Sequence, residues 1–152
     1  MTMLAKVLFG LLFVASPALA ADGLITIPSN FGAKITIDRL ETALKSGGAT
    51  IFARIDHAAG AADAKLDLRP TELLIFGNPK GGTPLMQSQQ TIGIDLPLKA
   101  LAWDDAAGKT WLSYNDPVWL ASRHAVGADA AKGADGLAMA LTNATAKATT
   151  AP

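Results

Sequence analysis

Two histidines are available to move protons or hold a metal near neutral pH, His57 and His124. His57 follows Asp56 at the end of an expected strand, so the two form a candidate histidine–carboxylate pair for acid–base work. His124 closes an expected helix, where a cationic ring suits the negative end of the helix dipole. With Asp56, Asp95 or Asp116 these imidazoles could make a divalent-metal site, but the spacing contains neither H-x-x-x-H nor H-E-x-x-H, and no metal site is assigned. Ordinary capping or surface roles for both rings stay open beside the acid–base reading. Tyr114, Asn115 and Asp116 are the most polar cluster beside the tryptophans Trp103, Trp111 and Trp119 and mark a candidate small cleft. Ser113 and Ser122 lie near Asp116 and His124, yet neither sits in a G-x-S-x-G elbow.

The stretch IFGNPKGGTPLM, residues 75–86, invites a phosphate-cradling reading. Gly77 and Gly82 have the Walker spacing, but Thr83 stands where that loop needs lysine, Lys80 precedes the second glycine, and Pro79 removes an amide. The stretch is therefore read as a turn, with Asn78 as a candidate ligand-contacting residue beside Pro79.

These residues need elements to position them. LITIPS at 24–29 reads as a strand; Thr36 reads as the cap of a helix over 37–46 that ends at Gly47-Gly48. ATIFARI at 49–55 alternates, placing Ile51, Ala53 and Ile55 on one face and Phe52 and Arg54 on the other. HAAGAADA at 57–64 predicts a short helix, and the apolar TELLIFG at 71–77 a central strand covered on both faces. Thr83 and Pro84 would open a helix. Residues 96–103 and 109–115 would form a hairpin across Asp104–Gly108. Asp116 then caps a helix from Pro117 to about Ala125, an alanine-rich helix follows from about Ala130, and residues 142–152 read as a flexible tail. Interleaved helices with a terminal hairpin favour an α+β two-layer sandwich, its sheet largely antiparallel and its helices on one face.

The amino terminus has the grammar of a secretory signal: Lys6, an apolar run from Val7 to Val14, and Ala18-Leu19-Ala20 as a cleavage site before Ala21. The run falls well short of the roughly 20 residues that span a bilayer. The expectation is export to the periplasm or medium of a bacterium, with residues 21–141 as one domain and no stable membrane span after cleavage. Losing Lys6 leaves twelve basic against thirteen acidic side chains, a balance that offers nothing to nucleic acid. There is no cysteine, which excludes disulfides, thiolate metal sites and thiol catalysis.

The motifs D-H-A at 56–58, F-G-N-P at 76–79, G-T-P-L-M at 82–86, D-L-P at 95–97 and Y-N-D-P at 114–117 occur together in a chain that resembles the DUF302 family over about residues 29–127. That resemblance implies a compact α+β domain and a homodimer; it supplies no catalytic residues and no cofactor. The preferred reading is an exported accessory protein holding a small-molecule ligand or a periplasmic protein partner. An enzyme using Asp56 and His57, or a metal-binding accessory protein, are the alternatives.

Overall fold

The computed structural model describes residues 22–151; the expected signal peptide lies outside them. Five strands form one antiparallel sheet in the order β1-β5-β4-β3-β2: β1 (Leu24–Pro28), β2 (Thr50–Asp56), β3 (Thr71–Gly77), β4 (Leu98–Asp104) and β5 (Thr110–Asn115). The helices are α1 (Ala33–Ser46), α2 (His57–Asp63), α3 (Pro79–Ser88), α4 (Pro117–Arg123) and α5 (Ala128–Thr149), and a 3-10 turn runs from Gln90 to Ile94. This is the expected α+β architecture.

Alternation within the strands builds the core. Leu74 and Phe76 of β3, Ala100 and Ala102 of β4, and Leu112 and Tyr114 of β5 are buried on one face. Helix α1 crosses that face and contributes Ile37, Leu40 and Leu44, whose spacing lines one side of the helix. Each such fully buried aliphatic side chain is worth about 2 kcal/mol. Helix α5 packs in turn on α1, α3 and α4. The outer face carries Ile55, Leu73, Ile75, Leu101, Trp103 and Trp111, half-buried or exposed. Among the described residues TELLIFG is thus covered by α1 on one face, and its apolar residues on the other side belong to this outer surface.

Four local expectations are corrected. Helix α1 begins at Ala33, capped by the extended backbone of Gly32, and Thr36 lies inside it. The Thr36 hydroxyl is fully buried, 2.7 Å from Ser29 Oγ and 3.0 Å from the Gly32 carbonyl, so it back-bonds within the first turns and does not cap. In β2 the pairing shifts between Ile51 and Ala53, a bulge at Phe52. The extra residue puts Ile51 and Arg54 together on the helix face, opposite Phe76 and Leu74, and turns Ala53 and Ile55 outward. Helix α3 starts at Pro79, not Thr83, because Asn78 caps it; Pro84 lies inside. Last, residues 142–149 are not a loose tail but the end of α5, where Ala144, Thr145, Ala148 and Thr149 are buried.

Other punctuation falls where the residues predict. Gly108 turns the β4–β5 hairpin at φ +76°, and Asp116 caps α4 through a 2.9 Å bond from the Val118 amide, with Pro117 at the first helical position.

Candidate functional site

The turn after β3 opens a cleft of about 260 Å³ at the end of the sheet. Its floor and first wall are Gly77, Asn78 and Pro79, where the strand gives way to α3. Gly82, Thr83 and Met86 follow on α3. Leu96, Pro97 and Leu98, entering β4 through a cis Leu96–Pro97 peptide, form the opposite wall. Phe52 from the β2 bulge and Leu137 from α5 close the rim.

Small residues keep the space open. A side chain at Gly77 would place its Cβ 3.4 Å from Pro97 Cβ and 3.6 Å from Phe52 Cε2, and one at Gly82 would reach 3.6 Å from Leu96 Cδ1. The turn itself is fastened from within. Asn78 Oδ1 accepts from the Lys80 amide at 2.9 Å, and Asn78 Nδ2 donates to the Gly48 carbonyl at 3.2 Å. The Gly81 and Gly82 amides both donate to the Asn78 carbonyl at 2.9 Å. The amides that a phosphate would need are engaged inside the turn, in accord with its reading as a corner.

A second cluster stands at the far end of the 3-10 turn. His124 Nε2 lies 2.6 Å from Asp95 Oδ2, and Thr91 Oγ1 is 3.2 Å from His124 Nδ1. Arg123 Nη1 approaches the same Asp95 oxygen at 3.3 Å, while Lys99 Nζ donates to the Asp95 carbonyl at 3.0 Å. The carboxylate thus joins the 3-10 turn to the end of α4, immediately before the Leu96–Pro97 wall.

The sequence candidates are distributed, not gathered. Asn78 lines the cleft. Asp56 caps α2, its Oδ1 accepting from the Ala59 amide at 2.9 Å, and no hydrogen bond joins it to the exposed His57 among the described residues. Tyr114 is buried under the helices, Asn115 is exposed at the strand end, and Asp116 is the α4 cap. Trp103 and Trp111 stack across the hairpin with ring centres 6.4 Å apart, on the outer face. Among the described residues no three histidine, aspartate or glutamate side chains converge as a metal-binding group. Residue-type reasoning passed over Phe52, Met86, Leu96 and Leu137, which carry no chemistry of their own. The available signal was positional, since G-N-P, G-T-P-L-M and D-L-P all supply cleft walls.

Fold and site together define a small α+β domain with a single antiparallel sheet, helices on one face and an apolar cleft where β3 meets α3. The chain belongs to the family described as domain of unknown function DUF302, whose model matches residues 25–146. The crystal structure of an uncharacterized conserved DUF302 protein from Bacillus stearothermophilus has the same fold, with a TM-score of 0.74 at 21% identity over 84% of this chain and 98% of that one. The chain is also 55% identical over 106 residues to the fluoride-specific ion channel FluC 1 of Brucella suis biovar 1 (strain 1330), a match covering 70% of this chain and 42% of the relative. The fluoride-specific ion channel FluC 2 of Brucella melitensis biotype 1 matches at 55% identity over 106 residues, covering 39% of its length. The chain therefore spans about two-fifths of the curated relatives it matches.

Proposed function

We propose that this chain is an exported accessory domain that holds a small molecule in the cleft between β3, α3 and the start of β4. One observation carries the reading: three separate motif segments, at 76–79, 82–86 and 95–97, supply walls of the same cleft, and two of their glycines leave its volume free. Binding pockets characteristically combine such apolar walls with few polar groups. The test is native mass spectrometry of the protein purified from its own host, beside its denatured mass. A retained small molecule that is lost on denaturation, and is absent from a Gly82→Leu variant, supports the proposal; an apo mass together with no binding of any small probe to the cleft overturns it. The same spectrum tests export, for which the expected mature chain begins at Ala21.

A second reading concerns the partner. Chains named as fluoride-specific ion channels contain a region 55% identical to this one within a longer polypeptide, which favours an accessory role beside such a channel. Co-purification of this chain with a fluoride channel of the same host from solubilised membranes would support it. Fluoride tolerance left unchanged by deleting the chain, with no such association, would remove it.

The homodimer implied by the family would use the outer sheet face, where the exposed Ile55 and the half-buried Leu73, Leu101, Trp103 and Trp111 lie on the side away from α1. A monomeric mass by light scattering at micromolar concentration, unchanged by Leu101→Lys, would exclude that assembly.

A further inference from the structure

From the walls of this cleft we infer the chemical class of its ligand: an uncharged molecule with a hydrocarbon body of about two fused rings, carrying at most one neutral polar group that meets Thr83. The inference rests on the cleft being a ligand site.

Charge is excluded by the lining. Among the described residues no lysine, arginine, histidine or carboxylate lines the cleft. Pro79 and Pro97 have no N–H to offer, and the amides of Lys80, Gly81 and Gly82, which would otherwise point outward from the start of α3, are bonded to Asn78. An anion entering here would lose its hydration and gain no charge-assisted donor, a cost of several kcal/mol even after relaxation. This applies to a phosphate, a carboxylate or fluoride itself, so the ion for which the channel relatives are named is not what the cleft takes. A cation fares no better, because among the described residues no carboxylate lines the cleft to offset its lost hydration.

Size follows from volume. An engineered cavity of about 150 Å³ accepts benzene; the present cleft, at about 260 Å³, has room for a second ring. Phe52 at the mouth gives such a ring an aromatic neighbour, and the flexible thioether of Met86 lets the wall adapt. Thr83 has no side-chain partner among the described residues, which leaves its hydroxyl free to meet one ligand hydroxyl or carbonyl.

The experiment compares two naphthalene dyes of two fused rings, the neutral ketone 6-acetyl-2-dimethylaminonaphthalene and the sulfonate 6-dimethylaminonaphthalene-2-sulfonate, by fluorescence titration of the purified chain. The neutral dye is expected to bind at least tenfold more tightly than the sulfonate, with no displacement by millimolar fluoride. Gly82→Leu, which improves helix propensity while filling the cleft, and the milder Gly77→Ala should each weaken the neutral dye, the first by tenfold or more. Ile55→Ser on the outer face should leave it unchanged. Equal affinity for both dyes, or tighter sulfonate binding that Gly82→Leu abolishes, would overturn the ligand class and leave the cleft standing as a site. Binding indifferent to Gly82→Leu and Gly77→Ala in folded variants would overturn the cleft reading itself.

Discussion

His124 Nε2 and Asp95 Oδ2 lie 2.6 Å apart although 29 residues separate them in the chain, and they tie the 3-10 turn to the end of α4. Both side chains are largely shielded, at 10% and 16% exposure. Deleting the imidazole leaves Asp95 with Arg123 as its remaining side-chain partner and removes the partner of Thr91. His124→Ala is expected to lose about 1–3 kcal/mol in urea unfolding. His124→Gln, which can still donate, should recover part of it. Because Asp95 immediately precedes the Leu96–Pro97 wall, His124→Ala should also weaken neutral-dye binding; a stability loss with dye affinity untouched would confine the pair to fastening α4.

Arg54 is the hub of an ion cluster on the helix face, bonded through Nε to Glu72 and through Nη1 to Asp38 at 2.6 Å, with Glu41 at 3.5 Å. The hydrogen bond from Arg54 holds the Asp38 carboxyl below its ordinary 3.8; Glu41 is held below 4.5 first by Lys45 and then by the charge of Arg54. Acids with lowered native values bind fewer protons folded than unfolded. Their stabilisation is complete above the ordinary carboxylate range and disappears as pH falls through the lowered values. Solvent screens much of this at Asp38, whose side chain is 45% exposed. The larger cost of Arg54→Met comes from Glu72, 12% exposed and left without its cation, about 3 kcal/mol at pH 7. Chemical denaturation from pH 7 to pH 3 should show the share of the difference owed to Asp38 and Glu41 shrinking as pH falls through their lowered values. A gap that stays constant across that range would mean the cluster acts by packing alone.

Sequence alone exposed the sheet and helices because their apolar periods are strong: TELLIFG, the Leu40–Leu44 spacing and the Gly108 turn each declare one conformation. It missed what depends on a count of one. The bulge at Phe52 reverses the face of Arg54 and Ile55 with no local mark in the residue types. Small residues hid the end of α5, since alanine and threonine look like solvent-facing filler until α1 is placed against them. The cleft was hidden for the opposite reason to the one usually met. Its walls are mostly glycine, proline and apolar side chains, while histidine and aspartate, the residue types that carry chemistry, here mostly cap helices.

Glycine substitutions separate backbone requirement from space. Gly23 has φ +76°, and a Cβ there would lie 2.1 Å from Trp119 Cδ2, inside the ring. Gly23→Ala therefore meets both a strained conformation and a rigid obstacle, and a loss of about 3 kcal/mol or more is expected. Gly82→Ala meets only Leu96 Cδ1 at 3.6 Å, in the middle of a helix, and should stabilise by up to about 1 kcal/mol. Gly81→Ala would approach Leu137 Cδ2 to 2.9 Å, the movable end of a side chain, and should fall between the two. Thermal unfolding of the three proteins gives the order directly; a stable Gly23→Ala would contradict the placement of Trp119 against Gly23.

The carboxyl-terminal turns of α5 are held by one side chain reaching across from α1. Arg39 donates through Nε to the Ala148 carbonyl at 3.1 Å and through Nη2 to the Lys147 and Thr150 carbonyls at 2.8 and 2.9 Å. These are carbonyls that a helix end leaves without intrahelical donors, so the guanidinium supplies both the hydrogen bonds and a positive charge at the negative pole. The Asn30 amide adds a bond to the Thr149 carbonyl at 2.9 Å. Arg39→Met keeps the stem and removes the donors; it should raise hydrogen exchange over residues 142–149 and cost about 1–3 kcal/mol. Truncation after Leu141 should cost more, because it also uncovers the α1 surface against which Ala144 and Ala148 are buried. If residues 142–149 exchange freely in the wild type and truncation leaves the melting temperature unchanged, the helix end is not docked and the guanidinium has no part in holding it.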